Sequence, residues 1–268
     1  MDVPPPFTGA SCWPLIGVIH LDPLPGSPNW GGSLNAVREL ALRDAEAYAA
    51  GGFDAVIVEN YGDRPFLPGQ VPPATIAALT LLAAQIRGAF PELLLGINVL
   101  RNDVVAALSI AAAVEAAFVR ANVLVSAMVT DQGVIEGKAW EIAHLRRQLG
   151  GKIALWADVL VKHAVPLGEQ DITDQASDAF QRAGAAALIL SGRATGAPAD
   201  PAAFTRVRTC LPAAPLLVGS GLSAANLADF LAVANGAIVA TSLLDGAQRV
   251  DPEKVRNLRK LRDGALCN

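Results

Sequence analysis

Residues 215–242 read PLLVGSGLSAANLADFLAVANGAIVATS, and the order of residue types in this stretch decides the fold. The apolar run Pro215 to Gly219 is the length of a strand and ends in a glycine-flanked turn, Gly219 to Gly221. Ser223 then offers a side-chain oxygen to cap a helix, and a second apolar run, Gly236 to Thr241, follows. A strand that returns through a helix to another strand is the crossover that parallel pairing requires, because a tight hairpin joins only antiparallel neighbours.

The same unit recurs toward the N-terminus. Strands are predicted at Leu15 to His20, Ala55 to Glu59, Leu93 to Asn98, Ala117 to Ala121, Ile153 to Asp158 and Ala186 to Ser191, which with the two above make eight. Ser33 caps a helix running to Gly51 and Gly52, with Val37, Leu40, Ala41, Ala45 and Tyr48 spaced on one face. Asp200 before Pro201 and Asp251 before Pro252 each place an acceptor at the N-cap and a proline in the first turn. A short helix is expected near Asp103 to Val114, and Asn122 to Gly137 reads as a long loop over the top. Eight units predict an α/β fold, a closed (β/α)8 TIM barrel forming one domain over 1–268, with 1–13 as an extended, proline-bearing lead-in.

With 52% apolar and 17% charged residues, the chain has material for a large core and lacks the composition of disorder. A net charge of −4 with scattered basic residues argues against nucleic acid and for small-molecule partners. The richest apolar stretch, Val104 to Val119, is interrupted by Ser109 and Glu115 and is too short to span a bilayer. MDVPPPFTGAS lacks the basic segment and apolar run of a secretory signal, so a cytoplasmic location is expected. Cys12, Cys210 and Cys267 are odd in number and far apart, with no metal-ligand spacing, so they read as buried or idle thiols.

In parallel barrels sites are built at the C-terminal ends of the strands. His20 and Asp22 end the first strand in GVIHLDPLPGSP, where the prolines stiffen the loop. Glu59 ends the second strand, Asn98 the third, and Arg120 with Asn122 brackets the fourth. The fifth, IALWADVLVKHA, brings Asp158, Lys162 and His163. Carboxylates, imidazoles and amides in one mouth suit proton transfer and hydroxyl recognition, so His20, Asp22, Glu59, Asp158 and Lys162 are the catalytic candidates. Lys162 has two readings, an anion-binding cation or a desolvated amine acting as base or Schiff-base nucleophile. Asn98, Arg120, Asn122, His163, Ser191, Arg193 and Thr195 are substrate-binding candidates, the last three from SGRATGAP after strand six.

Gly219, Ser220, Gly221 and Ser223, with Thr241 and Ser242 from strand eight, are the phosphate-binding candidates, since loops after strands seven and eight of barrels grip phosphate. No cofactor is called for by any motif. If a divalent metal is held, its ligands would be His20, Asp22, Glu59 and Asp158. VTDQGVIEGKAW, carrying Asp131, Gln132, Glu136 and Lys138 with turns permitted at Gly133 and Gly137, reads as a lid or a solvated connector.

Across nearly the whole length the segments GVIHLDPLPGSP, TDQGVIEGKA, ADVLVKHA, SGRATG, VGSGLSAANL and IVATSLLDG follow in the order found in the BtpA/SgcQ family, which the chain resembles. The resemblance implies a barrel of the ribulose-phosphate-binding type. One branch is linked to photosystem I biogenesis as a peripheral thylakoid factor, the other to sugar metabolism. Two residues depart from the family pattern: Ala240 stands where glycine is usual, and Leu244 where a lysine is expected. The expected function is an enzyme acting on a small phosphorylated sugar-like metabolite. The alternative is a non-catalytic biogenesis factor for a membrane complex, with peripheral membrane association and homo-oligomer formation both left open.

Overall fold

A computed structural model of the protein describes residues 6–7, 13–192 and 197–266. In chain order the elements are β1 Leu15–His20, α1 Leu34–Ala50, β2 Ala55–Glu59, α2 Pro73–Ala89, β3 Leu94–Asn98, α3 Val104–Ala113 and β4 Phe118–Ala121. An excursion follows, β5 Ala127–Thr130 and β6 Gly133–Glu136, then α4 Ala139–Gln148, β7 Ala154–Val159 and β8 Ala164–Pro166. The chain closes with α5 Ile172–Ser177, β9 Ala187–Leu190, α6 Pro201–Cys210, β10 Leu216–Val218, α7 Leu227–Leu231, β11 Ala237–Val239 and α8 Pro252–Leu266.

Eight strands pair in parallel around a closed ring, β1-β2-β3-β4-β7-β9-β10-β11 and back to β1. Each predicted barrel strand forms, with ends shifted by a residue or two. The caps form as their residue types dictate: Ser33 Oγ accepts from Ala36 N at 3.3 Å, Asp103 Oδ1 from Ala106 N at 3.0 Å and Asp200 Oδ1 from Ala202 N at 2.9 Å.

The two-residue period of the strands divides the core in two. Ile16, Val18, Ile57, Phe118, Trp156, Ile189, Leu217 and Ile238 fill the barrel interior, while Leu15, Ile19, Val56, Val58, Leu155 and Leu188 face the helices. Phe118 and Trp156 stack at 3.7 Å between ring centroids, and Phe7 adds a third ring 6.1 Å from Trp156. The lead-in is therefore more than an extended leader at this residue, which is buried inside the barrel.

Two sequence expectations are corrected. The stretch 122–137 is not a plain loop: β5 and β6 form a hairpin joined by β8 into a three-stranded antiparallel sheet, order β6-β5-β8. Met128 and Ile135 hold it down against Val123 and Val161. The helix expected from Ser223 begins instead at Leu227. Asn226 Oδ1 accepts from Ser223 N at 2.8 Å while its Nδ2 donates to Gly221 O at 2.9 Å, which fixes 221–226 as a turn.

Candidate active site

Counting inward-facing positions by twos to the top of each strand gives the residues of the mouth. From Ile16 and Val18 the next is His20; from Ile57, Glu59; from Phe118, Arg120; from Trp156, Asp158; from Ile189, Ser191; from Leu217, Gly219; from Ile238, Ala240. Register brings neighbours level, His20 opposite Glu59 and Glu59 opposite Asn98. Gly219 and Ala240, on the adjacent strands β10 and β11, are the smallest of this layer, so the space lies open on their side. A cavity of about 670 Å³ occupies the mouth.

On one wall, Asn98 Nδ2 donates to Glu59 Oε2 at 2.6 Å, and His20 Nε2 lies 3.8 Å from Glu59 Oε1. Tyr61 stacks on the imidazole at 4.3 Å between centroids, and the Arg64 guanidinium covers Tyr61 at 4.4 Å. Burial lowers the His20 pKa; Glu59 opposes this, and Lys162, Arg64 and Arg120 reinforce it. The neutral imidazole is thus favoured beside Glu59.

On the opposite wall, Arg120 clamps Asp158 through two parallel bonds of 2.8 Å, from Nε and Nη2. Asn122 Nδ2 adds a third to Asp158 at 2.7 Å. Because Asp158 only accepts, the amide of Asn122 has one sensible orientation, and its Oδ1 remains buried with no partner. Arg101 Nη2 donates to the Lys162 carbonyl at 2.7 Å. Burial lowers the Lys162 pKa, Arg120 and Arg101 push the same way, and Glu59 and Asp158 oppose them. His163, also lowered first by burial and then by Lys162 and Arg101, stands beside it on the lining.

The third side is backbone. Gly219, Ser220, Gly221, Ser223, Thr241 and Ser242 all line the cavity. Gly221 has φ +74, and a Cβ there would meet Ala197 O at 2.3 Å; one on Gly219 would meet Ile189 and Ser191 at 2.3 and 2.4 Å. Both positions require glycine for packing as well as for access. Ser242 Oγ is spent on Leu222 O at 2.7 Å, and the Ser223 N–H on Asn226. The unspent donors lie elsewhere: the N–H groups of Gly221, Leu222, Thr241 and Ser242 reach no backbone carbonyl among the described residues.

Most of the sequence-predicted residues thus converge on one cavity, including His20, Glu59, Asn98, Arg120, Asn122, Lys162 and His163. Asp22 does not join it: its carboxylate pairs with Arg249, which also approaches Asp44 at 3.6 Å. Asp158 lies beneath the lining, held by Arg120 and Asn122. Ser191 packs under Gly219, its buried Oγ without a hydrogen-bond partner among the described residues. Arg193 and Thr195 lie outside the described residues. The four metal donors considered are not gathered, with Asp22 and Asp158 each turned to an arginine, and the described residues hold no group of three or more His, Cys, Asp or Glu side chains fit for a metal ion. Leu244, the second departure from the family pattern, packs against the core instead of lining the mouth.

Sequence reasoning passed over Tyr61, Arg64, Arg101 and Asn226, all on the lining. Tyr61 and Arg64 had a signal, their position just after Glu59 at a strand end. Arg101 and Asn226 had none beyond being polar. Asp131 and Gln132, at the tip of the β5–β6 hairpin, reach the cavity from above.

Fold and mouth together define a (β/α)8 barrel with the polar C-terminal face typical of barrel enzymes. The BtpA family pattern matches residues 11–263, and the chain belongs to that family. It is 46% identical over 230 residues to the photosystem I biogenesis protein BtpA of Synechocystis sp., covering 86% of this chain and 80% of that protein. An uncharacterized protein of Thermococcus kodakarensis is 46% identical over 248 residues, covering 92% and 93%. Among solved structures, native KDPGal aligns with a TM-score of 0.62 at 16% identity, covering 98% of this chain and all (100%) of the other. Phosphoribosyl anthranilate isomerase from Thermus thermophilus aligns with a TM-score of 0.58 at 15% identity, covering 94% and 99%. These last two speak to the fold alone.

Proposed function

We propose that the protein is an enzyme acting by acid/base chemistry on a small phosphorylated, sugar-like metabolite. The observation that carries this is His20, only partly exposed and disfavouring its charge, 3.8 Å from Glu59 in a cavity of about 670 Å³. That volume lies within the range of small-molecule sites, roughly 300–1,000 Å³. His20 and Glu59 form the proton-transfer pair, with Asn98 and Tyr61 fixing their orientation. Arg120, set by Asp158, and Asn122 recognise polar groups of the substrate. The backbone N–H groups of Gly221, Leu222, Thr241 and Ser242 form the phosphate grip. The chemistry falls among isomerisation, carbon–carbon cleavage and glycosidic cleavage, which need a proton moved beside a carbonyl, at a hydroxyl, or onto the glycosidic oxygen respectively.

Thermal melting against a panel of phosphorylated sugars and inorganic phosphate tests this reading. At least one sugar phosphate is expected to raise the melting temperature beyond inorganic phosphate at equal concentration, and His20→Ala with Glu59→Gln is expected to keep binding while abolishing turnover. The reading fails if nothing exceeds inorganic phosphate.

The name of the Synechocystis relative supports a second reading, a non-catalytic assembly factor acting at a membrane complex. No helix among the described residues is long and apolar enough to cross a membrane, so such a role would be peripheral. Restoration of photosystem I in cells lacking that relative, by this chain carrying His20→Ala and Glu59→Gln, favours assembly over catalysis.

A further inference from the structure

The cavity contains one amine, and its setting differs from that of an ordinary anion-binding lysine. Lys162 follows β7, half-buried, and among the described residues its Nζ makes no hydrogen bond or ion pair. Of the two carboxylates that act on it, Asp158 is already bonded by Arg120 and Asn122, and Glu59 by Asn98. A cation without a counter-ion is costly when partly desolvated, so the backbone must hold it there.

That backbone is held in unusual geometry. Leu160 has φ +50 and His163 φ +57, placing a left-handed, non-glycine residue on each side of Lys162. The segment is pinned at both ends, by Gln175 Oε1 accepting from Leu160 N and by Arg101 Nη2 donating to the Lys162 carbonyl. A merely solvated lysine has no use for such a frame.

We propose that Lys162 is a covalent catalyst, its amine condensing with a substrate carbonyl to form an imine. The inference deepens the enzymatic reading above and rests on it for the cavity, while naming the substrate class: a phosphorylated ketose, aldose or keto acid. In the step, Nζ attacks the carbonyl carbon and a C–N bond forms. The carbonyl oxygen leaves as water, taking up the two amine protons, so amine and carbonyl give imine and water with no oxidant or reductant. The imine then draws electrons from the adjacent C–H or C–C bond, the bond that His20 and Glu59 are placed to assist.

The groups facing Lys162 favour the free amine more than the surroundings of an exposed lysine would. Burial is the largest influence, with Arg120 and Arg101 repelling a proton and Glu59 and Asp158 attracting one; the sum lowers its pKa. Each unit of lowering gives about tenfold more free amine at neutral pH.

The test is reductive trapping. The full chain is incubated at pH 7.5 with dihydroxyacetone phosphate, or in parallel with pyruvate, in the presence of cyanoborohydride, and the adducts are mapped by peptide mass spectrometry. Lys162 is expected to carry the adduct at about tenfold or more above each of Lys138, Lys152, Lys254 and Lys260. Unfolding the protein in urea before labelling should erase that preference. Label spread evenly over the lysines, or absent from Lys162 with both probes, overturns the proposal. The comparison is internal to the native chain and does not depend on whether Lys162→Arg folds. If Lys162 stays unlabelled while sugar phosphates still raise the melting temperature, the covalent role fails and the enzymatic reading stands. If Lys162 is trapped by pyruvate while no sugar phosphate stabilises the protein, the amine chemistry stands and phosphate recognition fails.

Discussion

His20 packs against one carboxylate, one aromatic ring and a field of three cations, and that company decides its protonation. Its folded pKa lies below the ordinary value of 6.5 because burial penalises the imidazolium. An unfolded chain therefore takes up a proton at a pH where the folded site still refuses it. The resulting stability is full above the unfolded value and is lost as the pH falls through the folded one. The melting temperature is accordingly expected to drop as the pH is lowered from 7 toward 5, with a shallower drop in His20→Gln; His163, shifted in the same direction, leaves a remainder. An unchanged slope in His20→Gln would contradict the buried, neutral assignment.

At the scale of elements, the loops between strand and helix do most to shape the mouth. The turn after β10 needs Gly221 at φ +74 and leaves no room for a Cβ beside Ala197. Gly221→Ala is expected to cost about 1–3 kcal/mol from the backbone strain alone, read as a shift in the urea midpoint, and to weaken phosphate-dependent stabilisation. The barrel strands and the helices α1, α3, α6 and α8 could be read from sequence, because period two, the Ser33 and Asp200 caps and the prolines at 201 and 252 are local signals, whereas α2 and α4 have no side-chain cap at their start and were not read. The polar top layer followed from the same period. The β5–β6 hairpin escaped, since its strands are four residues long and its outer face is apolar: Val134, Val129 and Val165 lie in register and exposed. With apolar residues on both faces, no alternation is left to detect. The late start of α7 escaped too, because Ser223 is a good cap in isolation and only the Asn226 side chain claims its N–H.

Over the whole molecule, closure joins the two ends of the chain. Arg262 of α8 is almost fully buried, donates to the Trp13 carbonyl at 2.5 Å and meets Asp54 at 3.2 Å, tying the last helix to the start of β1 and to β2. Trp13 Nε1 in turn donates to Ala234 O at 3.0 Å, just before β11. Arg262→Ala orphans a buried carbonyl and removes an ion pair, and an unfolding free energy lower by about 3 kcal/mol is expected in urea titration. A loss below about 0.5 kcal/mol, the scale of an ordinary surface change, would show that the seam is held by apolar packing alone.

The sequence by itself determined the number of barrel strands, the parallel class, the inward polar layer and the family, since each rests on residue type at a fixed spacing along the chain. Only the tertiary structure decided which polar groups are partners and which are left over. Asp22 and Asp158 looked equivalent to Glu59 as strand-end carboxylates. Folding pairs Asp22 with Arg249, far along the chain, and Asp158 with Arg120, leaving Glu59 to His20 and Lys162 without an ion pair among the described residues. Charge partners are chosen by ring closure between residues tens to hundreds of positions apart, and no local pattern encodes that choice.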